Sequence, residues 1–153
     1  LIAQKNFTNY QYANDCLGRF IEKVRNSPLG ENTIIAASGD HNTLQLFSFS
    51  DQQLLDKYSV PFILYIPEKY QPKKSVNTEI FGSHKDIFPT LFNLSLSEAN
   101  YLKTGVNLLD ENNDKNFGII NFDVAMNNLG CVSISSPSCF IWADNSKKLK
   151  QNL

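Results

Sequence analysis

A short apolar run that ends in Gly39, Asp40 and His41 limits the folds open to this sequence more than any other segment. Residues 33–38 are typical of a buried β-strand, and Gly39 allows the chain to turn sharply as it leaves the sheet. Asp40 and His41 follow at the C-terminal end of that strand, where open α/β sheets place their ligand crevices. A carboxylate and an imidazole on one turn suit Zn²⁺ or Mn²⁺. The alternative is a loop aspartate that caps a helix beside a solvent-exposed histidine.

The size and charge of the chain exclude several classes of protein. Its 153 residues are enough for one domain with its own core, and an apolar content of 42% indicates a globular chain. Fourteen basic residues against fifteen acidic ones leave almost no net charge, and no basic block is long enough to follow a phosphate backbone. We therefore expect no nucleic-acid partner.

Hydropathy and the first residue predict that the chain is part of a longer protein. No apolar stretch approaches the roughly 18 residues that span a bilayer, and there is no charged leader followed by an apolar stretch. Residue 1 is Leu rather than Met. We expect segments that this sequence lacks to lie upstream.

An amphipathic helix is predicted before the strand, over residues 8–26. Thr8 followed by Gln11 forms a capping box at its start. Apolar residues then recur at helical spacing on one face. These residues are Ala13, Cys16, Leu17, Phe20, Ile21 and Val24.

The pattern as a whole predicts an α/β fold with a mostly parallel sheet flanked by helices. Residues 60–66 are a second apolar run bracketed by prolines, which are tolerated at strand ends. We expect this run and residues 33–38 to be neighbouring central strands. A second flanking helix over residues 84–95 begins at Ser83 and Asp86.

The last third of the chain changes character. Residues 117–122, 132–135 and 140–143 are short and β-like, and clusters of Asn, Gly, Ser and Pro separate them. This pattern predicts a small antiparallel meander. The predicted organisation is therefore an α/β part over residues 1–110 and a β-rich subregion of the same domain over residues 111–153.

Three cysteines lead to separate expectations. Cys16 lies on the apolar face of the first helix, so we expect it to be buried. Cys131 and Cys139 flank a turn signal at residues 136–138, and a hairpin would bring them near each other. A disulfide and two reduced, half-buried thiols are both open to this pair.

Four segments resemble, in order, elements of the sulfatase and alkaline-phosphatase-like superfamily. Residues 33–41 resemble its strand with an Asp-His ligand pair, and residues 60–67 its following strand between prolines. Residues 83–94 (Ser-His-Lys-Asp-Ile-Phe-Pro-Thr-Leu-Phe-Asn-Leu) are similar to its Ser-His-x-Asp-apolar-apolar-Pro-Thr-Leu helix. Residues 105–109 (Gly-Val-Asn-Leu-Leu) resemble its Gly-x-Ser-Leu-Leu segment. Four matches in the expected order, over about residues 8–110, form a specific signal.

The form of the ligand pair resembles one branch of that superfamily. Gly-Asp-His is similar to the lipoteichoic acid synthases and phosphoglycerol transferases, whereas arylsulfatases more often have Ser-Asp-His-Gly. Asn42 stands where that Gly, or the Tyr of the synthases, is found. The subfamily therefore stays open at this point.

The resemblance implies a metal-dependent enzyme in which a Thr, Ser or modified Cys nucleophile attacks phosphorus or sulfur. It makes Asp40 and His41 ligands of a divalent metal, Mn or Zn, with Ca or Mg as alternatives. No catalytic nucleophile is recognised in this sequence, so we expect the nucleophile and an acidic ligand upstream, and no activity from the chain alone.

His84, the second of two histidines, is assigned to substrate binding. It starts a helix, whose N-terminus attracts anions. A role as another metal ligand and a position facing water are the alternatives. We expect Asp40, His41 and His84 to share one pocket, because parallel strands deliver their C-terminal loops to the same edge of a sheet.

Two hypotheses of function follow. The first is a phosphoglycerol or phosphoethanolamine transferase-like enzyme of the cell envelope, which acts on a small anionic ester or a phospholipid head group. Upstream helices would anchor it in the membrane with the catalytic domain periplasmic or extracellular, and an arylsulfatase-type hydrolase is its enzymatic alternative. The second hypothesis is a non-catalytic module that keeps the fold without the site.

Overall fold

A computed structural model describes residues 2–42, 46–50, 52–96, 98–111, 116–121, 123–136, 138–143 and 149–151. The chain divides into two compact units. The first unit comprises residues 1–48 and 59–71, and the second comprises residues 49–58 and 72–153.

Helix α1 of the first unit, Ile2–Arg25, begins earlier than the sequence predicts. The predicted capping box at Thr8 is wrong, because Thr8 lies inside the helix and its hydroxyl donates to the carbonyl oxygen of Gln4 at 3.1 Å. A threonine can make this bond to the preceding turn without ending a helix. The helix stops where Ser27 donates through Oγ to the Val24 carbonyl at 2.7 Å, and a 3₁₀ turn over Gly30–Asn32 follows.

The apolar face of α1 is covered only along a narrow stripe. Leu17, Ile21 and Val24 are half-buried, whereas Cys16 and Phe20 are exposed. The prediction that Cys16 is buried is therefore wrong. The covered residues are spaced four and three apart and so form one line along the helix, and Cys16 falls outside that line.

The two predicted strands are neighbours, but their direction differs from the prediction. Strand β1, Ile35–Ser38, pairs with β2, Phe62–Tyr65, and Ile35 lies opposite Tyr65 while Ser38 lies opposite Phe62. The pair is antiparallel, so the parallel arrangement expected for these strands is wrong. Within the described residues this sheet has two strands, so the prediction that both are central strands is also wrong, and alternate positions of β1 are exposed. Antiparallel ribbons can leave one face to solvent, which parallel sheets rarely do.

The second unit contains the predicted second helix. Within this unit a short helix α2, Leu54–Tyr58, comes first. A 3₁₀ turn over His84–Asp86 then leads into α3, Ile87–Ser95. The predicted helix start at Ser83 and Asp86 is confirmed and is a capping box: each side chain accepts a hydrogen bond from the backbone N–H of the other residue. Pro89 lies in the first turn of α3, where the missing N–H costs no helical hydrogen bond.

The predicted antiparallel meander is confirmed and is longer than the sequence indicates. Five strands pair in chain order, each antiparallel to the next. They are β3 Gly118–Ile120, β4 Val124–Met126, β5 Gly130–Ser133, β6 Cys139–Trp142 and β7 Leu149–Gln151. Strands β4 and β7 lie outside the segments that the sequence predicts to be strands.

The core of the second unit lies on one face of this meander. Met126 and Cys131 are opposite each other on β4 and β5, and both are buried. Half-buried apolar residues pack against them from α2, from the segment before α3 and from the meander. These residues are Leu54, Leu55, Phe81, Ile120, Val124, Phe140 and Trp142. The ring of Trp142 stacks on that of Phe81, and its Nε1–H donates to the Asn127 carbonyl at 2.8 Å.

Strand register separates the two cysteines of the hairpin. Cys131 lies opposite Phe140, and Cys139 lies opposite Val132, so the two thiols point to opposite faces of the sheet. Cys131 is buried, Cys139 is exposed, and both are free thiols. Burial, together with the nearby Cys139, raises the pKa of the Cys131 thiol. The structure thus favours two separate thiols over the disulfide.

Candidate functional site

The Asp40–His41 pair lies immediately beyond the paired ends of β1 and β2. Gly39 connects it to β1, and its N–H donates to the Pro61 carbonyl at 3.3 Å. A Cβ at position 39 would lie 3.2 Å from the Cβ of Val60, which is tighter than ordinary packing. Glycine therefore lets the chain pass close to the start of β2.

The two candidate ligands face each other. The His41 N–H donates to Asp40 Oδ1 at 2.9 Å, and His41 Nε2 lies 3.5 Å from Asp40 Oδ2. The other ring nitrogen, Nδ1, lies 3.1 Å from the carbonyl oxygen of Asn42. The side chains of His41 and Asp40 are 79% and 88% exposed. Solvent and ions therefore reach both of them freely.

The contact with Asn42 determines which ring nitrogen is available as a ligand. When Nδ1 carries the proton and donates it to the carbonyl, Nε2 of the neutral imidazole keeps its lone pair. That lone pair belongs to the nitrogen beside Asp40 Oδ2. Sequence reasoning missed this contribution of Asn42, because a backbone carbonyl can come from any residue type and leaves no sequence signal.

The spacing of the pair fits a metal ion. Zn²⁺ binds nitrogen and oxygen ligands at about 2.0–2.2 Å, so two ligands at a tetrahedral angle lie about 3.4 Å apart. The observed separation of Nε2 and Oδ2 is 3.5 Å. One ion could therefore contact both atoms with little movement. When His41 is protonated, the same two side chains form an exposed ion pair, which contributes little to stability.

Two ligands are fewer than a catalytic metal site uses. Catalytic zinc sites have three protein ligands and an open position. In the part of the chain that the structure describes, no group of three or more His, Cys, Asp or Glu side chains is arranged to hold a metal ion. The candidate site therefore supplies one half of a coordination shell.

His84 belongs to the second unit, whereas Asp40 and His41 belong to the first. Its side chain is exposed at the start of the 3₁₀ turn that precedes α3. The shared pocket was predicted from parallel strands. Because β1 and β2 are antiparallel, the chain leaves β2 at the end opposite to Asp40, so strand direction gives no reason for a shared pocket. The shared pocket stays a prediction.

The sequence did not reveal a buried charged cluster beside His84. Asp86 is fully buried, and Lys85 Nζ donates to both of its carboxylate oxygens at 2.7 Å. Asn116, thirty residues further along, donates to Asp86 Oδ2 at 3.4 Å and accepts from Lys85 Nζ at 3.3 Å. The capping box identified Asp86 as a helix start. Its contact with Asn116 spans thirty residues, and no local pattern connects the two residues.

Hydrogen bonds join the two segments that resemble the superfamily in this unit. Thr90, also fully buried, donates through Oγ1 to the Asp86 carbonyl at 2.7 Å and accepts from the Leu108 N–H at 2.9 Å. A Cβ at Gly105 would lie 2.7 Å from Asp86 Oδ1 and closer still to the Lys85 carbonyl oxygen. The Thr of the helix motif and the Gly of the following segment are thus explained by packing rather than by catalysis.

The described helices also bear on membrane association. Among the residues that the structure describes, no helix combines the length and the apolar composition needed to cross a membrane. Helix α1 is 24 residues long, but polar and charged residues occupy much of it.

Comparison with known proteins supports the resemblance seen in the sequence. The sequence profile of the family described as Sulfatase matches residues 3–95. The chain is also similar to lipoteichoic acid synthase 1 of Bacillus subtilis (strain 168), with 25% identity over 129 residues. That match covers 76% of this chain and 20% of the synthase, so the chain spans about one fifth of the length of this relative. No solved structure matches the chain significantly. Because the family profile covers more than half of the chain and contains Asp40 and His41, the chain belongs to the sulfatase family.

Proposed function

We propose that this chain is part of a metal-dependent enzyme that transfers or hydrolyses phosphate or sulfate esters, with Asp40 and His41 as two of its metal ligands. The observation that carries the proposal is the 3.5 Å separation of His41 Nε2 and Asp40 Oδ2. The contact of Nδ1 with the Asn42 carbonyl supports it, because this contact leaves Nε2 as the ligand nitrogen. Membership of the sulfatase family is consistent with such chemistry.

A mixed nitrogen and oxygen donor pair suits Mn²⁺ or Zn²⁺. Ca²⁺ and Mg²⁺ instead prefer sites made only of oxygen ligands. A bound dication would polarise an ester oxygen and lower the pKa of an attacking hydroxyl. Asp40 supplies negative charge, His41 supplies a neutral nitrogen, and Asn42 holds the proton at Nδ1. Protons compete with the metal for Nε2, so metal affinity should fall as the pH is lowered.

The substrate that we propose is a phospholipid head group or a similar small anionic ester at the cell envelope. The similarity to lipoteichoic acid synthase 1 favours a phosphoglycerol or phosphoethanolamine transferase over an arylsulfatase. In this proposal the nucleophile and a membrane anchor belong to parts of the protein outside this sequence. His84 contacts the anionic group of the substrate.

A non-catalytic module of the sulfatase fold is the second candidate. The exposure of Asp40 and His41, 88% and 79%, favours it, because catalytic ligands are usually more enclosed. The two candidates differ in one measurable property. An enzyme of this kind needs the Asp40–His41 pair to bind a dication, whereas a module that has lost its site does not.

Metal titration tests the proposal. We would titrate Mn²⁺ and Zn²⁺ into the full-length protein by calorimetry and compare it with Asp40→Asn and His41→Ala. Loss of a group that merely orients a ligand costs 10–100-fold in affinity, so loss of a ligand should cost at least about 100-fold. Asp15→Asn is the matched control, because it makes the same charge change at an exposed carboxylate on α1. Unchanged affinity in Asp40→Asn would reject the metal site.

The role of His84 is tested in the same protein. If His84 contacts the substrate, His84→Ala should raise KM for a phosphoglycerol or phosphoethanolamine donor while metal affinity stays within about threefold of the wild type. If it is a ligand, metal affinity should fall instead. Turnover of an aryl sulfate without turnover of a phosphodiester would favour the arylsulfatase.

A further inference from the structure

A buried ion pair follows His84 directly in the chain. Lys85 Nζ lies 2.7 Å from each oxygen of the Asp86 carboxylate. The Asp86 side chain has no exposed surface, and that of Lys85 is 19% exposed. The ammonium also lies 4.7 Å from the centre of the Phe117 ring, within the range of a cation–π contact. The pair is therefore enclosed on several sides.

Backbone and side-chain donors from three segments converge on this carboxylate. Asp86 Oδ2 accepts from the Ser83 N–H at 2.9 Å, and Oδ1 accepts from the Val106 N–H at 2.9 Å. Asn116 joins from the third segment, where its Nδ2 also donates to the Phe81 carbonyl at 2.8 Å. One carboxylate thus fixes the relative positions of the α3 start, the segment after α3 and the segment before β3.

A helix cap alone does not require this arrangement. The bond from the Ser83 N–H already caps the helix, and Thr90 already ties α3 to Leu108. Burying two charges costs solvation energy that their attraction barely recovers, so such pairs add little stability compared with apolar packing. What a saturated pair does provide is a defined geometry, because each lost contact would leave a buried charge without its partner.

We infer that Lys85, Asp86 and Asn116 are positioning residues for the imidazole of His84. His84 lies between Ser83, whose N–H is bound to Asp86, and Lys85, whose ammonium is bound to the same carboxylate. Its backbone is therefore held on both sides while its ring remains exposed. The inference rests on the proposed function, which gives His84 the anionic group of the substrate as its partner.

A double-mutant cycle in the full-length enzyme tests the inference. Lys85→Met and Asn116→Ala should each raise KM for the phosphodiester donor, Lys85→Met by about tenfold, because a displacement of about 1 Å can cost up to 100-fold. In a His84→Ala background, neither variant should raise KM further, because the effects of substituting residues that act through one another do not add. Asn116→Ala keeps the ion pair and so remains informative if Lys85→Met fails to fold.

Thr90→Val is the matched control. It removes two buried hydrogen bonds from the same helix without touching the Asp86 carboxylate, so it lowers stability and should leave KM unchanged. A similar rise of KM in Thr90→Val would overturn the inference, since general loosening of α3 would then explain the effect. Additive effects in the His84→Ala background would also overturn it.

A second measurement separates this inference from the proposed function. If His84→Ala alone leaves KM unchanged, the proposed substrate contact fails, and the position of the ring is then followed by NMR. The imidazole signal that His84→Ala removes should shift or broaden in Asn116→Ala and stay in place in Thr90→Val. An unchanged signal in Asn116→Ala would overturn the positioning role whatever His84 does.

Discussion

Replacing Asp86 with Asn should destabilise the second unit strongly while changing the shape of the side chain very little. The carboxylate is fully buried and accepts from the Lys85 ammonium, from the Ser83 and Val106 N–H groups and from Asn116. An amide in its place can accept through only one of its two termini. Its NH₂ group would face donors, and the Lys85 charge would lose its counter-charge.

The magnitude follows from how completely each partner is enclosed. Removing one member of a buried ion pair typically costs 3–5 kcal/mol. Lys85 retains a bond to Asn116 Oδ1 at 3.3 Å and is 19% exposed, so its charge keeps some compensation. We therefore expect the lower end of the range, about 3 kcal/mol of the free energy of unfolding. A typical domain has only about 5–15 kcal/mol in total.

Urea unfolding of this chain would measure the change. Trp142 is the single tryptophan and stacks on Phe81 in the core of the second unit, so its fluorescence reports on that unit. The urea concentration at the midpoint of unfolding should fall, while the slope of the unfolding free energy against urea concentration stays constant. The control Glu98→Gln, which makes the same charge change at an exposed carboxylate in the same unit, should stay within about 0.5 kcal/mol of the wild type. A loss below about 1 kcal/mol in Asp86→Asn would refute the buried, paired carboxylate.

Three further predictions concern other parts of the molecule. The pKa of Asp123 lies below its ordinary value, because the Ser135 side chain and N–H donate to the carboxylate. The resulting stabilisation should be present above pH about 4, the pKa of an unfolded Asp, and should be lost as the pH falls through the lower pKa of the folded state. An NMR titration that gives Asp123 an ordinary pKa would contradict this. Iodoacetamide should modify Cys139 in the folded protein and spare Cys131, and mass spectrometry showing equal labelling or a bond between the two would disagree with the register. The 153-residue chain alone should cleave neither phosphodiesters nor aryl sulfates in colorimetric assays, and turnover abolished by His41→Ala would show that the nucleophile lies within it.

Features that depend on a few neighbouring residues were predictable from the sequence. The order of elements from α1 through β1, β2 and α3 to a meander follows from hydrophobic periodicity and from turn residues. The capping box of Ser83 and Asp86 was predicted because it needs only a serine and an acidic residue three positions apart. The same rule failed at Thr8, because the turn before it is also helical and accepts the threonine hydroxyl.

The candidate site was predictable for the same reason, but only in part. Asp40 and His41 are adjacent in sequence, so their approach needs no long-range contact. The tautomer-selecting carbonyl of Asn42 was not predictable, because its role depends on a backbone conformation rather than on a side chain. The packing role of Thr90 was equally hidden, since its partner Leu108 is eighteen residues away.

By itself, the sequence determined which segments form helices and strands and that a carboxylate and an imidazole lie side by side after β1. Only the tertiary structure decided that β1 and β2 run antiparallel, that Cys131 and Cys139 point to opposite faces of the meander, and that Asp86 is buried. Local patterns reflect backbone geometry over a few residues, which neighbouring side chains dictate. Strand direction, register and burial are set by contacts between segments that are distant in the chain, such as the bond between Asp86 and Asn116 across thirty residues.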